Sequence, residues 1–222
     1  SPEQVINQYG ADILRLWVAQ ADYTSDLRIG PEILKNVADS YRRLRNTMRF
    51  MLGNLNDFQE SEKVEFKDMP ELEQWMLHKL ATLDKIVRDG YTNYDFQHVF
   101  QQLFQFCTVD LSTIYFDIRK DALYCNSENE LTRRSSRTLL DILFRRLTTW
   151  LAPMLVFTME DVWLTRFNEK NTSVHLEDMP ETPKDWLNPE LDQKWKVIRS
   201  VRRVVTGAIE IERKEKNIGA SL

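Results

Sequence analysis

The stretch EILKNVADSYRRLRNTMRFMLGNL, Glu32–Leu55, decides how this chain folds. Leu34, Val37, Tyr41, Leu44, Met48, Met51 or Leu52, and Leu55 recur every three or four residues. That spacing places them along one side of an α-helix, the side that meets a core. Gly30-Pro31 stops whatever precedes and starts the helix, because Pro is preorganised for the first helical position. The opposite side carries a different message. At about 100° per residue, Lys35, Arg42, Arg45, Asn46 and Arg49 share a sector centred roughly 130° from the apolar stripe. The stretch from Ser40 to Asn56 holds four arginines and no Asp or Glu. A solvated helix face usually mixes signs, and this one does not. It is a candidate contact for phosphate or RNA.

The same periodicity extends in both directions. Ser1-Pro2 opens a short helix that Gly10 closes in the left-handed conformation. Ala11 to Ala21 carries Ile13, Leu14, Trp17 and Val18 at helical spacing. Asp26-Leu27-Arg28-Ile29 alternates polar and apolar and predicts one short strand, whose pairing partner lies outside this chain. Downstream, Pro70 opens a helix that ends near Gly90. Asp95 to about Tyr124 predicts one uninterrupted helix roughly 45 Å long. Leu131 to Leu151 is the next, ended by Pro153, and Thr158 to Arg166 a shorter one. Residues 168–189 read as irregular. Asn188-Pro189 is an N-cap and first-turn pair that starts a last helix, reaching about Lys216. The expected fold is all-α, an antiparallel helical bundle over residues 31–222, with a small N-terminal appendage over 1–30.

Composition removes whole classes of function. The 222 residues include 42% hydrophobic and 11% aromatic side chains, a folded composition. Only 6 Gly and 7 Pro occur, too few for the turns of a sandwich or barrel. The longest apolar run, Trp150 to Phe157, is far short of the ~20 residues that cross a bilayer. Two Cys make no disulfide framework and favour a reducing, cytoplasmic setting. The net charge of −4 excludes a bulk-basic nucleic-acid binder but not a local basic patch. The chain starts without Met and reads as a piece of something longer.

Sites for chemistry are scarce. His78, His98 and His175 are far apart, and Cys107 and Cys125 would lie about 27 Å apart along one helix. No metal site is expected. There is no phosphate-cradling Gly-rich loop and no nucleophile elbow. Asp110 and Asp117, seven apart, would share a helix face; an acid–base pair is conceivable, but buried polar ties between helices are the better expectation. Two further basic clusters stand out. Arg133, Arg134, Arg137, Arg145 and Arg146 occupy one helix, and Arg199, Arg202 and Arg203 another. Charge segregated this way in an acidic chain favours a polyanion partner.

Several blocks resemble the class I aminoacyl-tRNA synthetases. Tyr9-Gly10-Ala11-Asp12-Ile13-Leu14-Arg15-Leu16-Trp17, with Asp22 to Ile29, is similar to the segment that follows their KMSKS loop. Tyr41-Arg42-Arg43-Leu44-Arg45-Asn46, through Arg49-Phe50, resembles the first helix of their anticodon-binding bundle. Phe106-Cys107, Asp110-Leu111-Ser112, Tyr115, Asp117, Lys120-Asp121 and Leu123-Tyr124 are similar to a pattern of the isoleucyl members. Arg133-Arg134-Ser135, Leu151-Ala152-Pro153, Phe157-Thr158, Glu160-Asp161 and Val162-Trp163 also fit, as does the closing Lys216 to Leu222. Valyl and leucyl members share the first block but fit the isoleucyl blocks less well.

The resemblance implies an anticodon stem-loop recognition module of a cytoplasmic, monomeric ligase that joins isoleucine to its tRNA with ATP. Its partners would be that tRNA and the remaining domains of the enzyme. Tyr41, Arg45 and Asn46 fall where relatives place anticodon-contacting side chains; Lys35, Arg42 and Arg49 join them by helix face. Arg133, Arg134 and Arg137 are secondary candidates for RNA contact. HIGH, KMSKS, the editing domain and a Cys-rich zinc module are missing. ATP, and zinc where present, would therefore bind elsewhere in the full-length enzyme, and this chain alone should not activate isoleucine. Two rivals remain: the same module of a valine enzyme, and a helical scaffold whose Arg face meets an acidic protein.

Overall fold

The computed structural model describes residues 1–219; the expected exit motif runs beyond them at Ala220 to Leu222. Among the described residues nine α-helices follow in order: α1 Pro2–Tyr9, α2 Ala11–Gln20, α3 Pro31–Asn54, α4 Glu71–Thr92, α5 Phe96–Gln105, α6 Phe116–Cys125, α7 Leu131–Leu151, α8 Val156–Arg166 and α9 Pro189–Lys214. The described residues contain no strand. The all-α bundle predicted from hydrophobic spacing is the observed architecture, and Leu131–Leu151 is α7 from end to end.

Three local expectations give way. Asp26–Ile29 is irregular, with Leu27 and Ile29 about half exposed. A lone strand leaves its backbone groups unpaired, and no second strand is at hand to pair it. The segment is held instead by Trp17, whose indole N–H donates to the Arg28 carbonyl at 3.3 Å. Gly10 does take a positive φ, 91°, but its ψ of 158° puts it in an extended region open almost only to glycine. The helix expected from Asp95 to Tyr124 is continuous yet not uniform. Between α5 and α6, Phe106–Tyr115 forms a π-helix. The wider turn shows in the side chains. Ser112 donates to the Cys107 carbonyl at 2.8 Å and Thr113 to that of Thr108 at 2.9 Å, each five residues back.

One core runs through the molecule. Trp75 of α4, Tyr115 of the π segment, and Phe144 and Trp150 of α7 are fully buried in it. Ile13 and Leu16 of α2 join the same cluster, so the N-terminal appendage is packed into the bundle. At α7 the core is partly polar: Ser136, Thr138, Thr148 and Thr149 are buried. Each hydroxyl donates to the carbonyl four residues back, which satisfies it within its own helix. The buried Glu73 of α4 is the deepest charge. It accepts from Tyr115 at 2.9 Å and from Arg119 at 2.7 and 2.8 Å, with the Ser136 hydroxyl 3.3 Å away, which brings α4, the π segment, α6 and α7 together. At Gly90 a side chain is excluded: a Cβ there would sit 2.3 Å from a Val99 methyl, so glycine lets α4 and α5 approach.

Candidate nucleic-acid interface

The basic face of α3 is set by what lies beneath it. Leu34, Val37, Leu44, Met48 and Met51 are buried, which fixes the helix rotation. Thr47 is buried too, donating to the Arg43 carbonyl at 3.2 Å with the Ser112 hydroxyl 3.5 Å away. With that side down, Lys35, Arg42, Arg45, Asn46 and Arg49 are all exposed, as the spacing predicted. Arg42 reaches Asp39 at 2.8 Å, a pair open to solvent. Lys35, Arg43, Arg45 and Arg49 have no carboxylate within ion-pair distance among the described residues. The face therefore presents uncompensated cations alongside one amide.

Tyr41 behaves differently from the rest of the set. Its ring is half-buried and its hydroxyl lies 3.1 Å from the Thr158 hydroxyl. Thr158 spends its own proton on Asp12 at 2.6 Å, so Tyr41 is the donor in the pair. Asp12 also accepts the backbone N–H groups of Phe157 and Thr158 at 3.4 and 2.7 Å, capping α8 from a different helix. Tyr41 thus fastens α3 to the α2–α8 corner. The capping role of Asp12 was not read from the sequence, because its partners lie about 145 residues away.

The other two arginine clusters are mostly occupied within the chain; Arg203 of α9 is exposed with no carboxylate within ion-pair distance among the described residues. Arg137 is buried: it donates to Glu62 at 2.8 Å and to the Asn56 carbonyl at 2.7 Å, with its guanidinium 5.4 Å from the Phe58 ring. Arg134 donates to the Glu62 carbonyl at 3.2 Å and Arg133 to that of Asn126 at 3.3 Å. Arg145 pairs with Asp141, and the buried Arg146 donates to the Glu181 carbonyl at 2.6 Å over the Trp186 ring. The α7 arginines bind the irregular segments to the bundle, so the expected secondary RNA contact at Arg137 has almost no exposed guanidinium surface to offer. On α9, Arg199 meets the buried Asp110 at 3.1 Å and Arg202 meets Asp117 at 2.6 Å. Asp110 and Asp117 do share a face, the one turned to α9. Lys79 at 3.3 Å completes the cage around Asp110. These carboxylates are ties between helices, not an acid–base pair.

Among the described residues no three His, Cys, Asp or Glu side chains converge on a point that could hold a metal ion. Cys107 is buried and Cys125 exposed, both free. Burial and the charge of Asp110 push the Cys107 thiol up to about 12, so it stays protonated. No helix among the described residues is long and apolar enough to cross a membrane.

The first long helix of this all-α bundle thus carries a free cationic face. A family model described as the anticodon-binding domain of tRNA ligase matches residues 73–222, and the chain belongs to that family. Its curated relatives include isoleucine–tRNA ligases. The chain is 62% identical to that of Ruegeria pomeroyi over all 222 residues, and 51% identical to that of Agrobacterium fabrum. The protein from Mesorhizobium japonicum is 52% identical over 221 residues. The chain spans 23% of the length of the first two relatives and 22% of the third. A solved structure of similar fold is the LeuRS–tRNA–LeuAMS ternary complex of Agrobacterium radiobacter. Its TM-score is 0.65 at 15% identity, covering 85% of this chain and 21% of that one.

Proposed function

We propose that this chain is the module by which an isoleucine–tRNA ligase holds the anticodon stem-loop of its tRNA. The observation that carries the reading is the α3 face, where Lys35, Arg45 and Arg49 stand exposed and unpaired in a chain of net charge −4. Cations that are not neutralised by their own protein are the ones that release counterions from RNA. Arg45, Asn46 and Arg49 supply donors that suit phosphates or splayed loop bases, and Arg42 joins them once it leaves Asp39. Tyr41 acts by positioning the helix. The names of the relatives support isoleucine over valine as the amino acid of the full enzyme. That enzyme joins amino acid to tRNA in domains outside this chain, where ATP, and zinc where present, would bind. The chain acts as a cytoplasmic monomer, a setting in keeping with two free thiols.

The test is binding of anticodon stem-loops to the 222-residue chain across a salt series. Three phosphate contacts on a largely single-stranded loop give a log–log slope near −2, at ~0.7 per contact. Arg49→Ala should remove about one contact from the slope. Arg45→Ala should also remove about one contact from the slope, and should lower discrimination between matched and mismatched anticodons, by about 1–3 kcal/mol, if the same guanidinium reaches a base. Arg43→Ala, about 100° round the helix from Arg42, is the control. Competition by an acidic polypeptide as strong as that by unlabelled tRNA would turn the assignment to a protein-binding scaffold. The purified chain should show no isoleucine-dependent pyrophosphate exchange.

A further inference from the structure

An aromatic tier borders the basic face. The rings of Phe116 on α6 and Phe50 on α3 stack with centroids 4.1 Å apart and planes 18° apart. Tyr124, at the end of α6, stands edge-on to Phe50 at 6.4 Å and 77°. Burial falls outward along the tier, from Phe116 at 6% exposed to Tyr124 at 67%. Phe50 follows Arg49 in sequence and sits about 40° from Asn46 round α3, on the flank of the cationic face. The Tyr124 ring is thus held by one edge, with most of its surface in water. Its hydroxyl makes no hydrogen bond among the described residues.

We propose that Tyr124 is a stacking platform for an unpaired base of the RNA held by α3. The inference rests on the RNA-binding reading above and deepens it, because it assigns a contact to a helix remote in sequence from the cationic stripe. A base stacks on a flat, accessible π-face, and a ring anchored by Phe50 offers one without first having to be ordered. The neighbouring charge argues for a base here and not a phosphate. Asp121, three residues back on the same side of α6, is exposed and repels an anion, and Lys120 is already paired with Asp117 at 3.4 Å. Arg45 and Arg49 would take the backbone, and Tyr124 the base it displays.

The experiment measures, by fluorescence anisotropy, the affinity of the 222-residue chain for an RNA hairpin bearing the isoleucine anticodon loop. Tyr124→Ala should weaken binding about 5- to 150-fold, the range for losing one stacked base, with the salt slope unchanged because no charge is lost. Tyr124→Phe should stay within about threefold of the original, while Tyr124→Leu, which keeps an apolar contact with Phe50 but has no π-face, should resemble Tyr124→Ala. Hairpins with a single abasic position, moved along the loop, add the decisive arm. One position should weaken binding to the original chain yet leave Tyr124→Leu indifferent, a non-additivity that reports direct contact. If Tyr124→Leu binds as Tyr124→Phe does, or if every abasic hairpin affects both chains alike, stacking is overturned while the α3 reading stands. If the original chain binds hairpin without salt dependence, the α3 reading itself fails. Circular dichroism checks that each variant is folded; should Tyr124→Ala lose helix, the Phe–Leu comparison and the abasic series decide.

Discussion

Among the described residues, Asp39 is the one carboxylate within ion-pair distance of the α3 cations. It holds Arg42 at 2.8 Å, with side chains 69% and 47% exposed. If the face works by counterion release, Asp39→Asn should free a fourth cation and strengthen RNA binding. The size follows from counting. Lys35, Arg45 and Arg49 give a slope of about −2.1, and adding Arg42 gives about −2.8, at ~0.7 per contact. Raising salt from about 50 to 200 mM would then weaken the original chain about 18-fold and the variant about 50-fold. The fold should hardly notice, since an exposed pair one helical turn apart contributes about 0.2–0.5 kcal/mol. Filter binding or anisotropy at four or five salt concentrations reads the slope, and thermal melting checks the stability. An Asp39→Asn variant with unchanged slope and affinity would refute the reasoning, because it would mean Arg42 and its neighbours do not face the RNA.

The remaining predictions concern the frame beneath that face. Glu73→Ala leaves Arg119 without its partner and a buried Tyr115 hydroxyl unpaired; the loss should be about 3–5 kcal/mol in urea unfolding. The combined Glu73→Leu, Arg119→Met, Tyr115→Phe variant should recover most of that loss, and a cost under about 1 kcal/mol for Glu73→Ala would show the cluster is not a brace. His78 accepts the Asn188 N–H on Nδ1 at 2.8 Å, where α9 begins. Burial lowers its pKa, against the pull of Asp192, while Lys79 and Lys196 add to the lowering. The folded imidazole resists protonation more than the unfolded one does. Stability from this group is therefore complete above its ordinary value of 6.5 and falls as the pH drops below it. Melting between about pH 7.5 and 5.5 should show that fall, and His78→Gln should flatten it.

Much of the bundle was legible because its signals are local. Leu34 to Leu55 announces α3 by spacing alone, and Asn188-Pro189 starts α9, with the Asn188 side chain accepting from Leu191 N–H. The exposed cations of α3 follow from the same spacing. What local pattern could not deliver is pairing at a distance. Arg137 and Glu62 lie 75 residues apart, so nothing near Arg137 announced that it would be buried on a partner. Arg199 and Arg202 looked like a cluster of free charge until Asp110 and Asp117 turned the same face toward them. The π segment escaped for a related reason. Its sequence has no Gly or Pro to mark it, and its wide turns are supported by contacts such as Lys79 and Arg199 on Asp110 that come from other helices.

That segment has a consequence for how the chain can vary. An α turn takes ~3.6 residues, and the i→i+5 turn takes more, so ten residues of the wider form accumulate a phase difference on the order of half a turn. Phe106–Tyr115 therefore acts as a vernier between two helices, setting which way α6 points relative to α5. With it in place, Arg119 finds Glu73 and Phe116 finds Phe50. A one-residue deletion within it would turn α6 by somewhat less than the ~100° of one α-helical residue and part both at once. Such a deletion is therefore harmful beyond the contacts of the residue it removes, because the rotation acts on all of α6.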